Sequence, residues 1–428
     1  MTEQMNVPKL RFEEFSENWQ AIELGELMTF KNGINASREQ YGRGVKFINV
    51  MDIIENDYIT YDRIVGSVDV ENKEFEKNIV EYGDILFQRS SETREEVGQA
   101  NVYLDKKNVA TFGGFVIRGK KVGDFDSVCM NYLLKTDKAR KEVTTKSGGS
   151  TRYNVGQATL SAVNIDLPPC IPEQQKIASF LSKVDEKIAL LAEKKDKLAE
   201  YKKGVMQQLF NGKWEEQDGQ LTFVPPTLRF KAADGSEFSD WEEIELGKLS
   251  KKSTVKNKDT SVSAVLTNSA TQGIIHQADY FDRDIANQSN LDGYYVVKPN
   301  DFVYNPRISI PAPVGPINRN KLDVGVMSPL YTVFTVNKSV NLSYLEYFFK
   351  TTKWHRYMNS IANFGARHDR MNITTSDFFK MPIPVPCIEE QNKIVQFVSS
   401  IDQKLDLANS EFEKAKEWKR GLLQQMFV

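Results

Sequence analysis

The sequence predicts an α+β protein in which two similar mixed α/β domains are separated by two long antiparallel helices, a dumbbell with a pseudo-two-fold. Three observations lead there. The chain repeats itself at a nearly constant offset, position 169 answering position 386; each copy of the repeat carries a helical apolar stripe; and short β-like runs broken by turns precede each stripe.

The repeat is clearest at the stripes. Residues 169–210, PCIPEQQKIASFLSKVDEKIALLAEKKDKLAEYKKGVMQQLF, align without a gap on residues 386–427, PCIEEQNKIVQFVSSIDQKLDLANSEFEKAKEWKRGLLQQMF. The alignment pairs Cys170 with Cys387, Gln174 with Gln391, Asp185 with Asp402 and Gly204 with Gly421. The segments leading into the domains match too: VPKLRF at 7–12 with VPPTLRF at 224–230, and FSENWQAIELGEL at 15–27 with FSDWEEIELGKL at 238–249. Fainter echoes pair Asp84 with Asp301, Val97-Gly98 with Val314-Gly315, and Arg152-x-Asn154 with Arg370-x-Asn372. The arms match closely while the middles have diverged, as expected if the arms do one mechanical task twice and the middles bind different things; drift in two domains sharing a core is the alternative reading.

In the first arm, apolar residues from Ile177 through Phe180, Leu181, Val184 and Ile188 to Leu209 recur mostly at steps of three and four, and the second arm repeats them from Ile394 to Met426. Pro172 stands where a first helical turn tolerates it. Each arm of about 38 residues spans on the order of 57 Å. A stripe that long needs a partner, and the nearest is the other arm. Short joins at both ends of the second domain require the second arm to start near the end of the first, hence the antiparallel pairing, with the chain termini brought together. The expected organisation is a first domain at 1–168, a helical spacer at 169–210, a linker at 211–223, a second domain at 224–385 and a second spacer at 386–428.

Within the middles, candidate strands are 45–53, 84–89, 100–105, 113–119, 294–304 and 328–336, and candidate helices are 127–143 and 342–361. Basic residues gather near each domain's end: Lys135, Lys138, Arg140, Lys141, Lys146 and Arg152 in the first, and Lys350, Lys353, Arg356, Arg367, His368 and Arg370 in the second. Either cluster alone is equally an ordinary solvated charge run; their recurrence at matching places favours a phosphate-binding surface. Gln88, Arg89, Arg94, Asn305 and Arg307 follow candidate strands in loop-like surroundings, where arginine and amide side chains can pair with guanine and adenine edges. With Lys146, Arg152, Asn154, Arg367, His368, Arg370 and Asn372 they form the candidate DNA-binding set. Asp84 and Asp301, at YGD and PND, read as turn caps rather than a catalytic pair.

Composition fits these domains. The chain has 428 residues, 40% hydrophobic and 27% charged, with a net charge of -2. That balance suits a globular chain of two or more domains, and a DNA ligand would require a partner to supply part of the backbone attraction. The N-terminal MTEQMNVPKLRFEEF lacks a secretory pattern, and no run of about 18 apolar residues appears. Three cysteines (Cys129, Cys170, Cys387) without a CxxC pair, with three histidines, assemble no recognisable zinc cluster and suit a reducing cytosol. No glycine-rich adenosyl-cofactor loop, no Asn/Asp-Pro-Pro-aromatic motif and no GxxxxGK[ST] loop is present, so no catalytic, cofactor-binding or metal site is expected.

The whole chain resembles the specificity subunit of type I restriction–modification systems. The resemblance is carried by P-x-x-EQ-x-K-I-x-x-F at 169–180 and 386–397, K-x-G-x-x-QQ-x-F at 202–210 and 419–427, and W-x-x-I-x-L-G-x-L at 19–27 and 241–249. It implies that the diverged middles are DNA target-recognition domains, each reading one half of a split asymmetric site, and that the arms are spacers that also dock modification subunits. It implies, as partners, two methyltransferase subunits bringing S-adenosylmethionine for adenine methylation, and motor–nuclease restriction subunits using ATP and Mg, in a bacterial or archaeal cytoplasm. Two other assemblies stay open at this point: a specificity chain of a methylation-only complex, and a scaffold that bridges two proteins without reading DNA.

Overall fold

The structure, a computed structural model, describes residues 7–217, 220–280, 291–364 and 369–428. It divides into two compact units, one formed by Met1–Glu193 with Asn409–Val428 and the other by Lys194–Ala408. Each unit therefore holds one globular head, the start of the long helix that follows it and the end of the other long helix. No helix among the described residues is long and apolar enough to cross a membrane.

Both heads are built on one four-stranded antiparallel sheet of the same order. In the first it runs Met28–Asn32, Val116–Lys121, Ile85–Gln88, Ala100–Val102. In the second it runs Ser250–Lys252, Thr332–Val336, Phe302–Tyr304, Ile317–Arg319. A second pairing closes each head by joining its entry to its exit: Gln20–Glu23 lies antiparallel to Asn164–Leu167, and Glu242–Glu245 to Pro382–Val385. The sheet's buried faces, with Ile85, Phe87 and Ile117 in one head and Phe302, Tyr304 and Phe334 in the other, form cores continuous with the apolar stripes of the helices.

What differs between the heads is inserted around this common sheet. The first adds a three-stranded layer of Ser67–Val68, Tyr41–Ile48 and Thr111–Phe112, the last pair parallel, with its own small cores. The second adds a hairpin of Leu266–Ser269 with Gly273–His276 and a pair of Tyr295–Val297 with Gly325–Met327. The expected strand at 45–53 accordingly ends at Ile48, because Asn49 starts a short helix, Val50–Ile54, whose N3 residue Asp52 accepts from the Asn49 N–H. Each expected long helix is two short ones: Ser127–Leu133 and Asp137–Lys146, with Thr136 capping the second, and Leu342–Phe349 and His355–Ile361. The cap explains the first break, since the Thr136 hydroxyl accepts from the Ala139 N–H.

Asp84 and Asp301 cap turns, as their YGD and PND settings suggest. Asp84 accepts from the Glu81 N–H at 3.0 Å and Asp301 from the Lys298 N–H at 2.8 Å. Burial raises the Asp84 carboxyl above its ordinary range, the turn's N–H acting against it. Both heads also keep a left-handed glycine at the equivalent place, Gly98 at φ +68° and Gly315 at φ +77°.

The long helices run Ile171–Leu209 and Ile388–Met426, 39 residues each. Their shared EQ motif fixes the first turn to the head. Glu173 and Glu390 are fully buried. Glu173 takes a two-pronged bond from Arg11, at 2.7 and 2.8 Å, and a third from Trp19 Nε1 at 3.2 Å. Glu390 takes the same set from Arg229, at 3.1 and 2.7 Å, and from Trp241 Nε1 at 3.0 Å. The neighbouring glutamines bridge in parallel fashion. Gln174 accepts from the Asp126 N–H and donates to the Pro168 carbonyl, while Gln391 accepts from the Asn341 N–H and donates to the Pro386 carbonyl. Asp126 and Asn341 are themselves the N-caps of the first short helix of each head.

Within each unit the two helical segments run in opposite directions. In the first, Glu173 lies beside Trp19, whose ring meets Phe427, while further along the same helix Asp185 pairs with Lys419 at 2.5 Å. In the second, Lys202 pairs with Asp402 at 2.5 Å. The two pairs are one contact made reciprocally, since Lys419 and Asp402 are the repeat equivalents of Lys202 and Asp185. A tyrosine of each head completes it: Tyr132 donates to Asp185 and Tyr347 to Asp402. The N-terminal segment returns to the second arm, with the Leu10 N–H on the Gln425 carbonyl.

Two outcomes are expected. Arg11→Ala leaves the Glu173 carboxylate buried without its cation and lowers the stability of the first unit by about 3 kcal/mol in urea unfolding, with Arg229→Ala doing the same in the second. Gly315→Ala places a Cβ 2.0 Å from the Asn305 carbonyl oxygen at a positive φ, and should cost about 2 kcal/mol in the same measurement.

Candidate nucleic-acid interface

In the first head the candidate residues gather where the sheet's Ile85–Gln88 strand runs on past its partner. Ser90–Ser91 continues it and pairs with Tyr153–Asn154, so Asn154 lies opposite Ser90. Arg152 and Asn154 are exposed on this ledge, and Asn154 Nδ2 holds the Arg152 carbonyl. Arg89 is half-buried, with its backbone N–H on the Phe115 carbonyl and its guanidinium on the Gly114 carbonyl at 3.1 Å. Arg94, in the exposed loop 92–96, donates to the Thr144 carbonyl at 3.1 Å and to that of Thr145, at the end of the Asp137–Lys146 helix, where a cation suits the helix dipole. Lys146, at that same helix end, pairs with Glu142. Gln88 is buried: its Nε2 donates to the Ser90 carbonyl, and its Oε1 has no partner among the described residues. Arg140 buttresses the loop from beneath by donating to the Glu95 and Val97 carbonyls, and burial lowers its pKa to about 10.

The second head repeats the arrangement with other residues. Past the end of the Phe302–Tyr304 strand, Arg307 lies directly across from Arg370, with the Met371 N–H on the Pro306 carbonyl and the Ile308 N–H on the Asp369 carbonyl. Two arginines facing each other across a strand pair repel, and Asp369, 3.9 Å from Arg370, offsets this weakly. An anion between them would relieve the repulsion. Asn305 Nδ2 donates to the Asn268 carbonyl, and its Oδ1 accepts from the Arg307 N–H, which fixes the start of the loop. Arg307, Arg370 and Asn305 line a cavity of about 370 Å³ together with Asn268, Ser269 and Tyr331. Asn372 lies opposite Asn363 in the adjoining pair of short strands. Arg367 and His368 lie outside the described residues.

The wider basic clusters of the sequence do not form single faces. Lys138 pairs with Asp166, and Lys353 donates to Asn211. Lys135 donates to the Asp57 carbonyl at 2.7 Å, and Lys350 to Asn318 at 2.5 Å. Burial lowers the Lys135 pKa to about 8 and pushes Lys350 down as well. Lys135 and Lys350 follow the last turns of Ser127–Leu133 and Leu342–Phe349 and anchor those helix ends to oxygens of a neighbouring loop and of the sheet. Asn268, Ser269 and Arg140, absent from the candidate set, join the two surfaces through contacts distant in sequence. The larger cavity of the second unit, about 770 Å³, is lined by charges that already pair, Lys202 with Asp402 and Lys321 with Glu346. Among the described residues no group of three or more His, Cys, Asp or Glu side chains could hold a metal ion.

Comparison with known proteins accounts for both heads. The family model for the type I restriction modification DNA specificity domain matches twice, at residues 16–200 and 238–417. A putative type I restriction enzyme MjaX specificity subunit of Methanocaldococcus jannaschii is 24% identical, over 99% of this chain and 96% of the relative. The MjaVIII specificity subunit of the same organism is 22% identical, over 96% of this chain and 92% of the relative. Among solved structures, the S subunit of a type I restriction–modification system from M. genitalium aligns over 99% of both chains, with a TM-score of 0.50 at 15% identity. A structure solved to explain complex assembly and conformational transition of the type I R-M system aligns over 96% of this chain and 97% of its own, with a TM-score of 0.57 at 15% identity. Two matches that together span most of the chain, on two heads with one sheet order and one clamp, make it a member of the type I restriction–modification specificity family: a specificity subunit, which targets the enzyme and does not itself catalyse.

Proposed function

We propose that the two heads, 1–168 and 224–385, read the two halves of a split, asymmetric DNA site, and that the spacer regions 169–210 and 386–428, with the linker 211–223, set the unread gap between them. One observation carries this reading. The same sheet, the same left-handed glycine and the same strand extension present Arg152 and Asn154 in one head and Arg307 and Arg370 in the other, while the structure inserted around them differs. A common frame with unlike surroundings suits a reader whose two targets differ. Phosphate contacts from Arg94, Lys146, Arg152, Arg307, Arg367, His368 and Arg370 position the duplex; Arg89, Asn154, Asn305 and Asn372 are the amide and guanidinium groups nearest base-reading chemistry, while Gln88, enclosed by its own strand turn, supports them from beneath.

The chain gives the address and its partners act on it. Two methyltransferase subunits bring S-adenosylmethionine and methylate an adenine in each half-site after turning it out of the stack. Restriction subunits, driven by ATP with Mg, cut unmethylated DNA. A chain with net charge -2 depends on those partners for part of its hold on the duplex. The place of action is the bacterial or archaeal cytoplasm.

The spacer reading is tested by removing seven residues from both helices, between Asp185 and Lys202 and between Asp402 and Lys419. That shortens each by about 10.5 Å, or about three base pairs of duplex, and the gap between methylated half-sites should shrink accordingly. An unchanged gap would refute it. The surface is tested by Arg152→Ala and Arg370→Ala in the complete methyltransferase. Each should weaken binding across sequences and reduce the salt dependence by about one unit of slope. Undiminished affinity in a folded complex removes these residues from the interface.

A further inference from the structure

We infer that Phe115 and Leu330 are the apolar base-contacting residues of the two heads, each packing against a thymine methyl group in its half-site; the inference rests on the reading of the heads as DNA readers. Strand register makes the two residues equivalent. Ile117 lies opposite Phe87, and Thr332 lies opposite Tyr304, with Phe87 and Tyr304 separated by the same offset that relates the two arms. Phe115 and Leu330 each come two residues before those strand positions, at the tip of the turn that enters the central strand.

Both are large apolar side chains left in water, Phe115 at 62% and Leu330 at 58% exposure. A single exposed apolar residue means little by itself. The same exposure at the same register of two diverged heads is different, because the turns themselves share no sequence: Gly113-Gly114-Phe115 in one, Ser328-Pro329-Leu330 in the other. Drift would retain neither an apolar tip nor its exposure.

The surroundings fit one occupant. Phe115 lines a cavity of about 220 Å³ with Tyr41 and Met51, themselves about half exposed, and the Arg89 guanidinium holds the carbonyl of the preceding Gly114. Leu330 lines the cavity of about 370 Å³ that also contains Arg307 and Arg370. An apolar tip therefore sits beside one guanidinium group in the first head and two in the second. The major groove of a duplex offers the matching pair of features, the thymine C5-methyl beside purine and phosphate acceptors. A protein partner would leave the facing arginines unexplained, whereas a polyanion accounts for both. An adenine to be methylated in each half-site also places a thymine in each half-site, on the other strand.

The experiment uses the chain assembled with its methyltransferase subunits and a duplex bearing the recognised site. Each thymine is replaced in turn by deoxyuridine, which removes only the methyl group, and the dissociation constant is measured. The wild-type complex should lose about fourfold in affinity at one or more thymines of each half-site, the worth of one buried methyl group. Phe115→Ala should abolish that sensitivity in one half-site and leave it intact in the other; Leu330→Ala should do the converse, and Phe115→Leu should retain it. Sensitivity retained in the untouched half-site reports that the variant is folded. Methyl sensitivity that persists in both alanine variants, or a wild-type complex that ignores every deoxyuridine while still selecting its site, overturns the inference. A wild-type complex that does not prefer the split site to random duplex overturns the DNA-reading assignment beneath it.

Discussion

A carboxylate without water is the constraint on which each half of this molecule turns. Glu173 and Glu390 are fully enclosed at the first turn of a long helix, and each is held by both prongs of an arginine from the segment that opens its head and by the indole N–H of a tryptophan. Burying such a charge is tolerable only with that full set of partners. The geometry of the set therefore dictates how the helix leaves the head. The adjoining glutamine ties the same turn to the N-cap of a head helix and to the proline before the arm, so rotation about the first contact is blocked by the second. Sheet, closing strand pair and cap are joined at that point, and the candidate surface of each head is carried on the same sheet.

Much of this was legible in the chain because it is written twice. The repeat sets Glu-Gln against Glu-Gln in the arms and Trp against Trp in the segments that open the heads, and those pairs are the clamp. The helical arms declared themselves through apolar spacing, which survives when every other feature changes. The candidate surface was legible in part. Arg152 and Asn154 do lie on the extension of the strand that ends at Gln88, and Arg307 does face Arg370, since strand ends and the segment closing a domain are natural neighbours. Those placements bear on position, and the role of each residue remains the proposal made above.

Other features were illegible for physical reasons. Basic residues in a row suggested one charged face, yet Lys135 and Lys350 turn inward to backbone and amide oxygens and Lys138 turns to Asp166. A helix distributes consecutive side chains around its axis, so a cluster in sequence is rarely a cluster in space. Gln88 reads as a polar residue free to contact DNA but is enclosed by its own strand turn. The break at Thr136 was hidden because a threonine is compatible with a helix interior and acts as a cap only where tertiary packing ends the preceding helix.

The reciprocal bridges have a consequence for how this sequence can change. Asp185 is answered by a lysine in the other repeat, and Asp402 likewise, so neither arm satisfies this aspartate by itself. An alteration in one repeat falls on a partner far away in the chain, encoded in the other copy. Such mutual dependence resists independent drift, and the two arms stay alike. The surfaces of the heads are held by contacts that differ from one copy to the other, Arg94 on the Thr144 carbonyl in the first and Asn305 on the Asn268 carbonyl in the second, and there the two copies have parted.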